Sequence, residues 1–331
     1  MTPVLGYLLR QLVLERLPVL LLITLLSFGI MHLAPGTPAD ATGAFNPRVS
    51  LEARQRMERL YGLDQPVPVQ YARWMGRVAR LDFGRSFLDD RPVTEKIVER
   101  LPITLTINAL SLLLIFGITI PLGVLAAVRP GGLFDRLTTL AVFIGYSMPS
   151  FWLALLAMAW FGVHLRWLPV SGLHALDYET MGLLRQALDL GWHLVLPVGI
   201  AAFVSLAGLS RYMRTTMVEV LRQDYIRTAR AKGLPERRVL FHHGLRNALL
   251  PLITILGLTL PDLIGGSVIA ETIFSIPGMG RLFYDAVMAR DYPVVMALVT
   301  IGAVLTMAGN FLADLAYAAA DPRIRAVGGH A

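Results

Sequence analysis

The sequence contains no cysteine among its 331 residues. Disulfides, iron–sulfur clusters and thiolate nucleophiles are therefore excluded, and cysteine usage says nothing about the redox compartment. No G-x-x-x-x-G-K-[ST] segment is present, so the chain lacks the usual phosphate-binding loop for ATP hydrolysis. The H-E-x-x-H and G-x-S-x-G motifs of zinc proteases and serine hydrolases are also absent. These absences argue against an enzyme.

Charged residues are scarce, since they make up 16% of the chain while hydrophobic residues make up 55%. The net charge of +7 alone would suit nucleic acid, but most arginines lie between apolar runs rather than on one face with aromatic residues. We therefore expect no nucleic-acid partner and interpret the arginines as signals of membrane orientation. The adjacent His242 and His243 point to different helix faces, so we expect no metal site there.

Six apolar runs predict an all-α polytopic membrane protein with six transmembrane helices. A bilayer core about 30 Å thick requires about 20 apolar helical residues, and backbone groups in lipid must be satisfied within the segment. The first run follows Arg10 and Arg16 as in a signal peptide, but it has no clear cleavage site, so we expect an uncleaved helix. The predicted spans are approximately 12–33, 101–128, 137–165, 191–210, 247–270 and 293–320.

The distribution of Lys and Arg predicts cytoplasmic N and C termini. Fifteen of the 30 lie in the two terminal segments and the loops 129–136 and 211–246, whereas four lie in the opposite short loops. Positively charged short loops face the cytoplasm. The connection 34–100 is too long for this rule, and we expect it to be an external folded cap, with direct substrate contact as the alternative.

Local signals suggest structure within this external connection. Ser50 is predicted to cap a helix that begins at Leu51, and Pro92 to begin another that leads into the second span. Gly62, Pro66 and Pro68 are expected to break the region between these helices.

A second external segment, SIPGMGRLF, follows the fifth span, and its proline and glycines predict a tight re-entrant or surface turn. We expect it to lie near the site of substrate entry. The residues assigned to this entry region are Glu271, Pro277, Gly278 and Gly280.

Polar residues inside predicted spans are functional candidates because burying them in hydrocarbon is costly. Asn310 and Asp314 share one face of the sixth helix, and either line a pathway or hold helices together. Asp314 lies near the cytoplasmic end, which favours a structural role. Asp262 follows Pro261 at a predicted kink, and pathway and structural roles both stay open.

The loop 211–246 carries nine Lys/Arg residues against three acids. An apolar stripe of Met213, Met217, Val220 and Leu221 predicts that a helix continues the fourth span into the cytosol. Gly233 is expected to end a second short helix in a left-handed conformation, and Pro235 to begin a third. The small Ala229 and Ala231 and the neighbouring arginines favour docking to a partner protein. The alternative is a basic helix lying on anionic membrane lipid.

The segment YIRTARAKGL, followed by LRNALLP, resembles the coupling motif of binding-protein-dependent ABC importer permeases of the dipeptide, oligopeptide and nickel group. The general motif is E-A-A-x-x-x-G with a downstream I-x-L-P. Gly233 and Ala229 match it, as does the ending Leu250 with Pro251. Arg227 and Thr228 replace the first Glu and Ala, so no role of that acidic residue carries over. Seven further segments are similar to the B-type subunit of this group: LAPGTPAD, YGLDQPVPVQYARW, LDFGRSF, SMPSFWLALL, ETIFSIPGMGRLF, ARDYPVV and DPRIR.

The resemblance covers essentially the whole chain and implies a type I ABC importer permease in a bacterial or archaeal cytoplasmic membrane. It implies a second homologous permease, two ABC ATPase subunits and an extracytoplasmic solute-binding protein as partners, besides membrane lipid. ATP and magnesium would bind to the ATPase subunits, leaving this chain without a cofactor or catalytic residue. The implied coupling residues are Tyr225, Ile226, Arg227, Thr228, Ala229, Arg230, Ala231, Lys232, Gly233 and Leu234.

Two other functions are weighed against this one. An ion-coupled secondary transporter would use Asp262 and Asp314 as proton or cation sites. An intramembrane protease is disfavoured, because Asp262 lacks a G-x-G-D context and Asp314 lacks a Y-D context. The spans do not distinguish dipeptides, longer peptides, glutathione, nickel chelates and oligosaccharides as cargo.

Overall fold

The computed structural model describes residues 14, 16–33, 62, 64–259 and 262–320, without the side chains of residues 258, 262 and 312–320. The predicted helix from Leu51 and its cap Ser50 lie outside this part of the chain. The helices are α1 Leu17–Leu33, α2 Val67–Val78, α3 Val93–Val128, α4 Leu133–Ser147, α5 Ser150–Ala157, α6 Leu183–Leu221, α7 Asp224–Ala231, α8 Glu236–Arg238, α9 Arg246–Thr259, α10 Asp262–Gly265, α11 Val268–Ile273, α12 Met279–Met288 and α13 Tyr292–Ala320. Two π-helical segments, Met158–His164 and Val239–Leu245, continue α5 and α8, and a 3-10 turn covers Tyr178–Thr180.

The predicted helical membrane class is confirmed. Within the described residues, four helices are long and apolar enough to cross a membrane: Val93–Val128, Leu183–Leu221, Glu236–Gly257 and Tyr292–Phe311. A fifth is obtained if the bent pair Leu133–Ser147 and Ser150–His164 forms one span. Helix α1 is apolar and shorter, with 17 described residues.

The predicted third span is not one straight helix. Helices α4 and α5 meet at Met148 and Pro149, and the two parts are bent by 102°. Met148 has an extended conformation with φ −93° and ψ 131°. The proline ring disfavours the helical conformation of the residue before it, which favours the end of α4 at Met148.

Residues 1–102 and 278–331 form a first compact unit. Its larger apolar core joins Val93 and Ile97 of α3 to residues of α12 and α13, including Met279, Leu282 and Val294. A second core packs Trp74 of α2 against Phe28 of α1 and Met296 of α13.

Helix α2 corrects the prediction that Pro66 and Pro68 break this region. Proline is favoured in the first helical turn, where its missing N–H costs no hydrogen bond. Tyr71, Trp74, Met75 and Val78 recur at helical spacing and face the core with Phe28. The prediction that a helix begins after Pro92 is confirmed, and this helix continues without a break into the second span.

A buried polar network fixes residues 64–92, here called the external segment, at its C-terminal end. Asp291, which is 1% exposed, accepts hydrogen bonds from the Ser86 hydroxyl and from the Phe87 N–H at 2.9 Å. Lys96 Nζ donates to Asp89 Oδ2 at 3.0 Å and lies 3.9 Å from Asp291 Oδ2. Burial raises the pKa of Asp89, but hydrogen bonds from Lys96 and Ser86 hold that pKa below its usual value.

Residues 103–277 form the second unit. Helix α6, with 39 residues, passes through two of its apolar cores. Leu194, Leu196 and Val198 pack with residues of α3, α5 and α11 in one core. Further along, Met213 and Met217 pack with Val124 and Leu252, which confirms the predicted apolar stripe. Pro197 lies inside α6, N-terminal to this second core.

Candidate functional site

Residues 222–246, here called the coupling segment, form a compact helix–turn–helix. Helix α6 ends at Leu221, and after two residues α7 occupies Asp224–Ala231. Gln223 precedes α7 in an extended conformation, and Asp224 lies in the first turn, where a carboxylate is favoured by the helix dipole. Helix α8 begins at Glu236, immediately after Pro235, as predicted.

One side of α7 is anchored to the rest of the chain. Ile226 is fully buried and Ala229 is 5% exposed, and both pack against the fully buried Val239. Their spacing of three residues places them on the same helix face. Leu221 and Leu234 border the cluster. Ile226 and Ala229 therefore hold α7 in place, and the interpretation of Ala229 as a partner-facing small residue is wrong.

The turn after α7 has a fixed geometry. Gly233 has φ +74°, the left-handed conformation predicted for it. Its N–H donates to the Arg230 carbonyl at 2.9 Å, and the Leu234 N–H donates to the Ala229 carbonyl at 3.4 Å. This pair of bonds is the Schellman arrangement, which satisfies the last carbonyls of a helix. The turn sets the direction in which α8 leaves α7.

Polar contacts fasten α7 to the elements that follow it. The Arg230 guanidinium donates two hydrogen bonds to the Glu236 carboxylate, one from Nη2 at 2.7 Å and one from Nε at 3.2 Å. These hydrogen bonds raise the pKa of Arg230 above its usual value. The Asn247 amide of α9 donates to the Tyr225 hydroxyl at 2.9 Å. Arg230 is thus paired within the chain rather than presented freely to a partner carboxylate.

The opposite side of α7 is exposed. Its outward surface carries Tyr225, Arg227, Thr228, Ala231 and Lys232. Arg227 forms a long contact of 3.4 Å with Asp224, and both side chains are mostly exposed. Among the described residues, no acidic partner faces Lys232, Arg222, Arg237 or Arg238. The coupling segment thus presents a basic surface on a fixed frame.

Close packing connects this frame to the membrane helices. Gly244 lies in the π-helical segment before α9, and a Cβ at this position would stand 2.8 Å from Met217 Cε. A side chain here would displace the end of the Met217 side chain, so glycine favours the close approach of this segment to α6. Arg214 of α6 also forms a salt bridge with the buried Asp135 of α4, and its Nη2 lies 2.7 Å from Asp135 Oδ2. The coupling segment therefore rests on both α6 and α9.

Three of these contacts involve residues that the sequence reasoning did not identify. Asn247 belongs to the LRNALLP motif, but nothing in that motif indicates that its partner is Tyr225. Glu236 follows Arg230 across the Gly-Leu-Pro turn, and this spacing could have predicted their ion pair. The Asp135–Arg214 pair joins residues 79 positions apart, and no local pattern indicates it.

The role of the predicted polar pathway residues stays a prediction. Asp262 begins α10 and Asp314 lies in α13, but their side chains are outside the described part of the chain. Asn310 is exposed on α13. The predicted kink before Asp262 falls on residues 260 and 261, which lie outside the described part of the chain. Asn108 of α3 donates to the Leu263 carbonyl of α10 at 2.8 Å.

The predicted entry region is buried rather than an exposed loop. Glu271 lies within α11, is 3% exposed and accepts a hydrogen bond from Thr104 Oγ1 at 3.2 Å. Gly278 and Gly280 are also buried, and Pro277 is partly buried. The tight turn is present, since Ser275 has φ +54°, but it is followed at once by α12. The predicted tight turn is therefore present with most of its residues buried, and their place near substrate entry stays a prediction.

Comparison with known proteins identifies the family. The family described as "Binding-protein-dependent transport system inner membrane component" matches residues 119–326, and its N-terminal companion family matches residues 4–108. The chain belongs to this family. It is a multi-pass inner-membrane transport subunit rather than an enzyme, and membership implies ATPase and binding-protein partners. The ABC importer interpretation is thereby supported over an ion-coupled transporter.

Individual relatives cover nearly the full length. The oligopeptide transport system permease protein AppB of Bacillus subtilis (strain 168) is 47% identical over 320 residues, which are 96% of this chain and 99% of the relative. The di/tripeptide transport system permease protein DppB of Pseudomonas aeruginosa (strain UCBPP-PA14) is 38% identical over 92% of this chain and 94% of the relative's length. The dipeptide transport system permease protein DppB of Escherichia coli (strain K12) is 37% identical over 95% and 98%.

Proposed function

We propose that this chain forms one half of the translocation pathway of an ATP-driven peptide importer and that α7 docks on an ATPase subunit. The names of the relatives support peptides as cargo. The anchored, outward-facing helix α7 is the observation that carries the docking role.

The geometry of α7 suits transmission of movement. Its inner face is held by Ile226 and Ala229, its end is fixed by the turn at Gly233, and its outer face is free for a partner. A displacement of α7 by an ATPase subunit would be carried into α6 and α9. A docking energy that differs by a few kcal/mol between two ATPase states is enough to shift the populations of two permease conformations.

The distribution of positive charge and the family membership support the rest of the proposed architecture. We propose six spans with both termini in the cytoplasm, a second homologous permease, two ATPase subunits and an external binding protein that delivers the cargo. ATP and magnesium bind to the ATPase subunits, and this chain binds no cofactor. The basic coupling segment supports the orientation, because short positively charged loops face the cytoplasm.

The absence of cysteine makes a direct test possible, since any introduced cysteine is a unique label. Thr228→Cys lies on the outer face of α7, and Arg136→Cys lies at an exposed position in the first turn of α4. In inside-out vesicles, both variants are expected to react with a membrane-impermeant maleimide. Bound ATPase subunits should protect Thr228→Cys and leave Arg136→Cys reactive.

Topology is tested in the same way with Asp64→Cys in the exposed part of the external segment. It should react only from the outside of intact cells. Equal labelling of Thr228→Cys in the free permease and in the assembled transporter would contradict the docking role. Labelling of Thr228→Cys from outside would contradict the orientation.

A further inference from the structure

The first unit contains a cavity of about 580 Å³. Its apolar walls include Phe28 of α1 and Met296 of α13, and Trp74 of α2 lies beside them. The Trp74 side chain is buried, and its Nε1 has no hydrogen-bond partner among the described residues. His32, whose Nε2 lies 3.0 Å from Gln70 Oε1, also lines the space. The volume is that of an ordinary small-ligand pocket.

Among the described residues that line this cavity, the charged side chains are all arginines. Arg73, Arg77 and Arg80 all line it, and their spacing of four and three residues places them along one face of α2 and its last turn. All three residues are exposed. None of them has an acidic partner among the described residues, whereas Arg85 and Arg91 nearby are paired with Asp90 and Glu95. A cluster of unpaired guanidinium groups beside apolar walls fits a ligand with an anionic head.

The position of the cavity along the membrane helices indicates the source of such a ligand. Met296 is four residues from the start of α13 at Tyr292, or about 6 Å along the helix axis. The apolar wall formed by Met296 thus lies below the start of this helix by a distance comparable to the depth of the boundary between headgroups and acyl chains.

We propose that this cavity binds the phosphate headgroup of an anionic membrane lipid. The arginines of α2 hold the phosphate by paired N–H bonds, and Trp74 lies at the level where amphipathic rings are usual. The acyl chains would run along the exposed apolar surface of α1, which includes Leu26 and Ile30. This inference requires that α1 and α13 cross the membrane, but it does not depend on peptides as the cargo.

The test uses the full-length permease in nanodiscs that contain equal amounts of phosphatidylglycerol and phosphatidylcholine. After gentle extraction, native mass spectrometry counts the lipids that remain bound. The wild-type chain is expected to retain phosphatidylglycerol in preference to phosphatidylcholine. Arg73→Gln/Arg77→Gln should weaken this preference by about fivefold for each arginine removed, the usual effect of one basic residue at an anionic membrane surface.

The control is Arg85→Gln/Arg281→Gln, which removes the same charge from one exposed and one partly buried position outside the cavity and should keep the preference. Arg73→Lys/Arg77→Lys retains the charge and should recover part of the preference for phosphatidylglycerol. This recovery would separate lost binding from misfolding. Equal retention of the two lipids by the wild type would overturn the proposal, as would equal losses in the cavity and control variants.

Inorganic phosphate distinguishes a lipid from a free anion. If phosphate added to the delipidated protein in detergent binds as tightly as phosphatidylglycerol, the site is one for a soluble anion and the lipid assignment is wrong. Because no ATPase, binding protein or peptide is present in these measurements, they can fail while the proposed transport function stands.

Discussion

The coupling segment and the external segment hold their shapes by different means. The coupling segment depends on the apolar contacts of Ile226 and on backbone hydrogen bonds at Gly233. The external segment depends on the buried carboxylate of Asp291 and on the Lys96–Asp89 ion pair at one end, and on the core around Trp74 at the other. The ion pair of the coupling segment, Arg230–Glu236, is exposed, whereas the carboxylate of Asp291 in the first unit is buried. We therefore expect charge changes to disturb the external segment more than the coupling segment.

The largest effect is expected from Ile226→Ala, which removes the main apolar anchor of α7. Large-to-small changes at fully buried isoleucines cost about 2–5 kcal/mol. Amide hydrogen exchange of residues 224–231 should therefore accelerate strongly, while that of residues 84–92 should not change. Ile226→Val is the matched control, with a cost of about 1 kcal/mol. Unchanged exchange in Ile226→Ala would show that other contacts hold α7.

A somewhat smaller effect is expected from Asp291→Ala in the external segment. The Ser86 hydroxyl and the Phe87 N–H both lose their acceptor, and an unsatisfied buried polar group costs about 1–3 kcal/mol. The thermal unfolding temperature of the purified protein should fall, and residues 84–92 should exchange faster. Asp90→Asn, which breaks only an exposed pair with Arg85, should have little effect. Equal effects of the two changes would contradict the importance of the buried network.

Gly233→Ala should have a moderate effect on the turn. A left-handed conformation costs a residue with a Cβ about 1–2 kcal/mol. No atom lies within 4 Å of a Cβ at this position, so the cost is conformational rather than steric. Gly233→Asn should be milder because asparagine tolerates this conformation better. The measurement is transport-coupled ATPase activity together with hydrogen exchange of α7, and equal activities of the three proteins would contradict a fixed turn.

The smallest effect is expected from the partly exposed Asp89, and it should depend on pH. Its pKa is lowered in the folded protein, so its charged form adds stability at neutral pH, and this contribution is lost as the pH falls below the ordinary value of 3.8. Asp89→Asn should therefore lower the unfolding temperature at pH 7, and the difference from the wild type should shrink as the pH falls through that range. If the difference in unfolding temperature grew as the pH fell, the prediction would be contradicted.

The parts of the structure that follow local rules could be predicted from the sequence. The apolar runs predicted the membrane helices, and Gly233 with Pro235 predicted the turn after α7. Helix α2 was missed because Pro66 and Pro68 were interpreted as breaks rather than as a helix start. The apolar recurrence from Tyr71 to Val78 is a local signal that would have identified it.

The remaining errors have a nonlocal cause. Glu271 was predicted to lie in an entry loop, but Thr104, 167 positions away, helps to satisfy its carboxylate inside the protein. Ala229 was assigned to the partner surface because only Val239, on a later helix, shows which side of α7 is buried. Local sequence patterns do not show which residues that are distant in the sequence will be in contact in the folded protein.

Pro197 gives helix α6 the properties of a lever. The 25 residues from Pro197 to Leu221 span about 36 Å, and proline removes one of the hydrogen bonds that would stiffen the helix at this position. A rotation of about 8° there would carry the Leu221 end of the helix through about 5 Å, roughly one helical turn. Under the proposed docking of α7 on an ATPase subunit, a small angular change at Pro197 would thus become a large displacement at that interface.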